Sequence, residues 1–218
     1  HTLFKGLLFL AAGAVLHETG TTDLNKLGGL AKKMPHTTVL FLVGAFSISG
    51  VPPFNGFASK WLIYQASYQK AVESGNIGFL LVTIIALITS VLTLASFVKV
   101  SHSVFFGQLP PELENVKEVS WGMRLAMGIF ALLCIITGLF PSLVTTYLTE
   151  PAAAAVFNVK QYIEAMGFDG SAAAALEGGS FQYVGAWDPV SWLLVLCIAL
   201  LAITIVAVAG KYDNASRC

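Results

Sequence analysis

Charged residues are scarce in this sequence: they make up 11% of its 218 residues, whereas a soluble domain has about 25%. The 12 lysines and arginines are balanced by 12 aspartates and glutamates, so there is no basic excess to bind a phosphate backbone. The composition therefore excludes nucleic-acid binding as a main role, and it excludes an ordinary soluble domain.

Cysteine is equally scarce. The three cysteines, Cys134, Cys197 and Cys218, lie far apart, and two of them fall inside apolar runs, which argues against a disulfide framework and a metal-ligand cluster. The sequence also lacks a nucleophile motif, a phosphate-binding glycine loop and a dinucleotide fingerprint. We therefore predict that this chain has no catalytic residue, no metal, no cofactor and no redox centre.

Long apolar runs are abundant, and 56% of the sequence is hydrophobic. A helix that spans a bilayer needs about 20 mainly apolar residues, so the runs predict an all-α, polytopic transmembrane helix bundle. Six spans or part-spans are expected, at residues 1–17, 37–50, 57–72, 77–100, 122–148 and 189–210. The first run begins directly at His1 with no basic segment before it, so we expect part of a longer protein and no signal peptide.

Four regions are expected along the chain. They are core helices at residues 1–105, a loop and transmembrane helix at 106–148, an extramembrane loop at 149–188, and a C-terminal transmembrane helix and tail at 189–218. Part of residues 151–166 is expected to form an interfacial helix. If the loops alternate between the two sides, lysines and arginines divide evenly, and the acidic 149–188 loop only slightly favours an internal C-terminal tail.

A helix break is predicted in the segment Ser49-Gly50-Val51-Pro52-Pro53-Phe54-Asn55-Gly56-Phe57. Pro52 and Pro53 lack backbone N–H donors, and Gly50 and Gly56 permit tight turns, so a continuous helix is disfavoured. Irregular backbone at membrane depth is tolerated only where protein or water covers it. We therefore expect this loop to face the bundle and not the lipid.

Two lysines, Lys5 and Lys60, stand within apolar runs, whereas no acidic residue does. A charge at mid-membrane costs about 2.5 kcal/mol or more, and it usually faces a bundle interior or a water path. His1 lies four residues before Lys5, so both side chains share a helical face. We interpret His1, Lys5 and Lys60 as candidate proton-relay residues. The alternatives are lysines that extend to the membrane interface and a histidine without a partner.

Lys60 follows Gly56-Phe57-Ala58-Ser59 and is expected in the first turn of the helix after the break. The partial positive charge at a helix N-terminus disfavours an ammonium and favours a carboxylate. Replacing Lys60 with glutamate is therefore expected to preserve assembly and to conduct better than replacing it with alanine.

Other polar residues within or beside the runs receive ordinary interpretations. His17, His36 and His102 lie at run ends and are expected at the membrane interface. The serines and threonines are expected to bond to carbonyl oxygens four residues earlier, with ordered water as the alternative. They are Ser47, Ser49, Ser59, Thr83, Thr89, Ser90 and Thr93.

Several segments, taken in order, resemble a known family. They are the stretch from His1 to Leu10, Gly20-Thr21-Thr22-Asp23, Leu27-Gly28-Gly29-Leu30, and the break segment with Ser59-Lys60 after it. Their order and spacing resemble the antiporter-like, proton-translocating subunits of respiratory complex I, membrane-bound hydrogenases and multisubunit Na+/H+ antiporters. The resemblance is concentrated in residues 1–70, and beyond about residue 105 it is one of hydropathy only.

The resemblance implies a fold with two inverted five-helix repeats, of which this chain supplies the later helices of the second repeat. In the family, broken helices face a hydrated line of lysines, histidines and glutamates at mid-membrane. His1 and Lys5 match the family's histidine and central lysine, and Lys60 matches the ionisable residue of its broken twelfth span. The glutamate and lysine of the first repeat have no counterpart here, so this chain alone is not expected to form a complete proton path.

The function implied by the resemblance is proton translocation along a Lys, His and water relay in a redox-driven complex of the complex I or hydrogenase type. The oxidoreductase chemistry would belong to other subunits. The alternatives are a Na+/H+ antiporter subunit without redox partners and a structural subunit that conducts nothing. The expected partners are other membrane subunits, the lipid bilayer, and protons or Na+, in a bacterial or archaeal cytoplasmic membrane.

Overall fold

The computed structural model describes residues 1–156 and Cys197. The chain divides into two compact units, of which one contains His1–Leu139 and the other begins at Phe140. All regular elements in the described residues are helical, which confirms the predicted all-α class. The span predicted at residues 189–210 lies outside the described residues apart from Cys197, and so does most of the 149–188 loop.

The described part of the first unit contains five α-helices. They are α1 (Thr2–Thr19), α2 (Pro35–Ser49), α3 (Asn55–Ser74), α4 (Ile77–Ser101) and α5 (Trp121–Leu139). A π-helical turn at His102–Phe106 extends α4, and short 3-10 turns lie at Leu30–Lys32 and Pro111–Leu113. Extended α4 and α5 are each long and apolar enough to cross a membrane, and α2 is a shorter apolar helix.

The helices α2 and α3 form one broken span, because the loops before α2 and after α4 meet at the same end of the unit. Lys33 Nζ donates a hydrogen bond of 2.7 Å to the Glu114 carbonyl. A Cβ on Gly28 would overlap the carbonyl oxygen of Gln108. The continuous helix from Ile77 to Phe106 is long and apolar enough for one crossing. The segment before it must then make a single crossing in the opposite direction, which α2 and α3 provide together.

This pairing of loops corrects the assignment of sides made from the sequence. Treating α2 and α3 as two full crossings placed the 18–36 and 101–120 loops on opposite sides, and that assignment is wrong. Lys32, Lys33, Lys117 and Arg124 instead lie at one end. The rule that places lysine and arginine loops inside then favours the cytoplasmic side for this end.

The span predicted at residues 122–148 is also wrong in its extent. The helix α5 ends at Leu139, and Phe140 has non-helical φ and ψ angles of −123° and 63°. Pro141 explains the stop, because a proline disfavours helical backbone in the residue before it. The second unit then contains α6 (Pro141–Val144), a π-helical turn (Thr145–Thr149) and α7 (Glu150–Val156).

The core lies among α1, α2 and α5 and the segments that connect the helices at one end, which contribute Leu30, Met34 and Phe105. Close approach in this core depends on small residues, as is usual for helices in membranes. A Cβ on Gly6 of α1 would lie 3.0 Å from the Phe130 ring of α5, and one on Gly44 of α2 would lie 3.0 Å from Leu8 of α1. These contacts bring α1 and α2 against each other and place α5 next to α1.

Candidate functional site

The helix break predicted from the sequence is present between Ser49 and Asn55. The N–H of Gly50 donates to the Ser47 carbonyl at 3.1 Å, and the N–H of Val51 donates to the Phe46 carbonyl at 3.0 Å. This pair of bonds is a Schellman cap, which requires the left-handed backbone that Gly50 adopts at φ 76°. The cap ends α2 within the protein.

One carbonyl at this helix end, that of Ile48, needs a partner from elsewhere. The residue four positions later is Pro52, which has no N–H to donate. Lys60 fills the gap, because its Nζ donates a hydrogen bond of 3.0 Å to the Ile48 oxygen. The lysine side chain crosses Gly50 so closely that a Cβ there would lie 2.8 Å from Lys60 Cδ.

The position of Lys60 differs from the one expected. It is the sixth residue of α3, which begins at Asn55, and therefore lies in the second turn. Its ammonium contacts the C-terminus of α2, where the helix dipole carries partial negative charge. The first-turn position expected from the sequence is therefore wrong, because the Lys60 side chain donates to the end of one helix and does not lie at the start of another.

Two glycines let neighbouring backbone cover the break. A Cβ on Gly56 would overlap the carbonyl oxygen of Ser47, and one on Gly138 of α5 would overlap the carbonyl oxygen of Pro53. Beside them, Asn55 Oδ1 is buried and has no hydrogen-bond partner. The break is therefore packed against protein, and Asn55 provides a free acceptor near it.

Lys5 and His1 lie at the start of α1. The ammonium of Lys5 is 5.6 Å from the centroid of the Phe9 ring, and the exposed His1 ring packs edge-on against Phe4 at 5.2 Å. Within the described residues, no hydrogen bond joins the side chains of His1 and Lys5, or either of them to Lys60. The relay role of His1 and Lys5 therefore stays a prediction.

A strip of hydroxyl groups joins α3 to α4. Tyr64 Oη hydrogen-bonds with Ser90 Oγ, and Ser67 Oγ with Thr83 Oγ1 at 2.7 Å. Sequence reasoning missed this strip, although the spacing held a signal. Tyr64 and Ser67 are three residues apart, and Thr83 and Ser90 are seven apart, so each pair occupies one helical face.

The bonds expected for the other hydroxyls are largely present. Bonds to carbonyl oxygens four residues earlier are made by Ser47, Ser49, Thr83, Thr89, Ser90 and Thr93. Ser59 instead reaches the Gly56 carbonyl, three residues earlier. The remaining histidines, His17, His36 and His102, are exposed and lie at or near helix ends.

Glu118 fastens the opposite end of α2, and sequence reasoning did not single it out. Its Oε2 accepts from the N–H groups of His36 at 2.8 Å and Thr37 at 3.3 Å, while Oε1 accepts from Thr37 Oγ1 at 2.6 Å and from the Val119 N–H at 3.1 Å. Burial raises the pKa of Glu118, but these hydrogen bonds lower it more, to a net value below the usual 4.5. The carboxylate is therefore held ionised at the N-terminus of α2.

Residues 1–93 match the family model described as "NADH:quinone oxidoreductase/Mrp antiporter, TM". A Staphylococcus aureus (strain JH9) protein named Na(+)/H(+) antiporter subunit A1 is 41% identical over 162 residues, which are 72% of this chain and 20% of that protein. A second relative of the same name, from strain Newman, has the same identity and coverage. The chain thus spans 20% of the length of these curated relatives.

Two solved structures are similar as well. In the membrane-bound sulfane sulfur reductase, an archaeal respiratory membrane complex, one chain is 38% identical with a TM-score of 0.56, over 64% of this chain and 22% of that one. In the Mrp complex from Dietzia sp. DQ12-45-1b, one chain is 26% identical with a TM-score of 0.63, over 76% of this chain and 37% of that one. Both support an integral membrane protein with an antiporter-like fold.

Proposed function

Because residues 1–93 of this chain belong to the NADH:quinone oxidoreductase/Mrp antiporter transmembrane family, we propose that it is part of a subunit that moves protons across the membrane within a multisubunit complex. Lys5 and Lys60 are the proposed relay residues, with His1 beside Lys5. The observation that carries the proposal is the position of the Lys60 side chain. Its ammonium lies in a helix break and donates a hydrogen bond to the Ile48 carbonyl.

Repulsion between lysine ammonium groups can move a proton along the proposed relay. The carbonyl of Ile48 accepts a hydrogen bond from the Lys60 ammonium, and a second positive charge nearby would favour release of the Lys60 proton. Two ammonium groups about 10 Å apart repel by about 1.7 kcal/mol at an effective dielectric constant of about 20, which changes a protonation equilibrium more than tenfold. Protonation of Lys5 or of an upstream lysine would supply this electrostatic repulsion, and water would connect the residues.

Two driving forces are supported by different relatives. The archaeal respiratory complex, with 38% identity, supports the redox-driven function expected from the sequence. The Staphylococcus aureus proteins, with 41% identity, are named as Na(+)/H(+) antiporter subunits and support exchange of protons for Na+. We therefore propose proton translocation as the shared function and Na+/H+ antiport as the second candidate for its coupling.

The test uses the complete subunit in its assembled complex, reconstituted in proteoliposomes with a pH-sensitive dye. Lys5→Met and Lys60→Met should each lower proton movement at least tenfold. Lys5→Met should leave assembly intact, because methionine fits an apolar span more easily than a charge. Lys60→Met also leaves the Ile48 carbonyl without its partner, so the abundance of the complex is measured beside transport. The matched control is Lys70→Met in α3, since the Lys70 side chain is 59% exposed. Normal transport by both relay variants would remove Lys5 and Lys60 from the proton path and would favour the structural alternative.

The same vesicles separate the two couplings. Antiport predicts that a pulse of Na+ starts proton movement without an electron donor. Redox coupling predicts that Na+ alone has no effect and that movement begins when the donor of the complex is added. In either case the relay variants should respond less than the Lys70 control.

A further inference from the structure

A groove between α2 and α5 is not used by the proposed relay. It has a volume of about 630 Å³ and is lined by apolar side chains of both helices, with Arg124, His36 and Trp121 at one end. Val39, Ile129 and other lining residues are more than half exposed. A volume of this size lies within the range of about 300–1,000 Å³ that is typical of ligand sites.

The length of the groove matches one leaflet of a bilayer. From Trp121 to Leu132 it follows α5 for eleven residues, which is about 16 Å at the rise of an α-helix. Half of a hydrocarbon core is about 15 Å thick. A partner helix that crossed the membrane would contact α5 along its whole length, whereas this groove stops before Gly138, where α5 packs against Pro53.

The polar end of the groove has the chemistry of a membrane interface. The guanidinium of Arg124 lies 5.3 Å from the centroid of the Trp121 ring, and tryptophan is enriched at headgroup depth. Arg124 Nε is buried without a hydrogen-bond partner. The nearby carboxylate of Glu118 is bonded to His36 and Thr37, and Arg124 has no ion pair within the described residues.

We infer that this α2–α5 groove binds an anionic phospholipid. The phosphate lies against Arg124 and His36, and one acyl chain lies in the apolar part between Val39 and Ile129. An arginine is suited to this role because its planar donors match phosphate oxygens, and basic pockets between transmembrane helices bind anionic headgroups. A free phosphate would satisfy Arg124 but would leave the apolar length of the groove uncovered.

The test measures lipid bound to the complete complex, purified in detergent and analysed by native mass spectrometry with added phosphatidylglycerol or phosphatidylcholine. Arg124→Gln removes the charge but keeps much of the side-chain length. It should weaken phosphatidylglycerol binding about tenfold and have a smaller effect on phosphatidylcholine. Lys117→Gln is the matched control, because this exposed lysine lies in the adjoining loop and outside the groove.

A second variant fills the groove without changing charge. A Cβ on Gly128 meets nothing within 4 Å, so Gly128→Leu should fold normally and occupy the acyl-chain position. It should weaken the binding of both lipids. Unchanged phosphatidylglycerol binding by Arg124→Gln and Gly128→Leu would overturn the inference, as would a structure of the complex with a protein helix in the groove.

Discussion

Two halves of the first unit are held together in different ways. In α1, α2 and α5, buried side chains such as Leu7, Phe41 and Met127 interlock around small residues. In α4, by contrast, Thr83 and Ser101 are the only buried residues, and its contact with α3 includes the hydroxyl pairs. Close packing therefore fixes the first half, whereas α4 leaves most of its apolar surface to lipid or other protein.

The break between α2 and α3 lies where the two halves meet. Gly56 of α3 packs on the Ser47 carbonyl, and Lys60 of α3 bonds to the Ile48 carbonyl. The start of α3 thus fixes the proposed relay lysine to the closely packed half, although few residues of α3 and α4 are buried. Substitutions at this junction should have larger effects than substitutions farther along α3 or α4.

The largest effect is expected from Gly56→Ala. The added Cβ would overlap the Ser47 carbonyl oxygen, so backbone must move, and we expect a loss of about 3 kcal/mol or more. The matched control is Gly13→Ala in α1, where a Cβ meets nothing within 4 Å. Abundance and thermal unfolding of the assembled complex measure the difference, and equal stability of the two variants would show that the junction is not closely packed.

A smaller effect is expected from Lys60→Glu, which tests the electrostatic side of the junction. A carboxylate cannot donate to the Ile48 carbonyl and is repelled by the negative end of α2, by up to about 2 kcal/mol. Lys60→Glu should therefore assemble less well than Lys60→Met. Complex abundance and proton transport in proteoliposomes check this order, and better assembly of the glutamate variant would restore the expectation drawn from the sequence.

Glu118→Gln should cost about 1–2 kcal/mol at pH 7, because charge-assisted hydrogen bonds to Thr37 and to backbone N–H groups are replaced by weaker ones. The folded pKa of Glu118 is lowered from 4.5, so its stabilisation is complete above about pH 4.5 and is lost as the pH falls through the folded value. Chemical unfolding at pH 7 and at lower pH measures this, and the difference in unfolding free energy between the unmodified protein and Glu118→Gln should become smaller at the lower pH. A difference that does not depend on pH would argue against this assignment.

Much of the fold could be predicted from local sequence. The break was predicted because Gly50, Pro52 and Pro53 act on the backbone where they stand, and the apolar runs gave α1 to α4 and the start of α5 to within a few residues. The stop at Leu139 was missed because the apolar run continues through Pro141, and hydropathy was given more weight than the proline. Pro141 was therefore a visible signal in the sequence for the end of α5.

The site was harder to predict because its contacts join residues that are distant in sequence. Lys60 was identified as an unusual charge, but its partner at Ile48 is set by how α3 returns across the end of α2. Glu118 lies 82 residues from His36 along the chain, and nothing in the local sequence indicates their contact. The same pairing of distant loops decides which lysines share a side, so the alternating count could not find the orientation.

The smallest effect on stability is expected from the strip of hydroxyl groups between α3 and α4. Its hydrogen-bond energy can be measured and compared with the packing energy of α1, α2 and α5. Tyr64→Phe and Ser90→Ala remove one hydroxyl each, and hydrogen bonds between membrane helices contribute about 0.6 kcal/mol on average. A double-mutant cycle on unfolding of the complex should give a coupling of this size, since the two groups contact each other directly. A coupling of about 2 kcal/mol or more would mean that hydroxyl bonds hold α3 and α4 as firmly as close packing holds α1, α2 and α5.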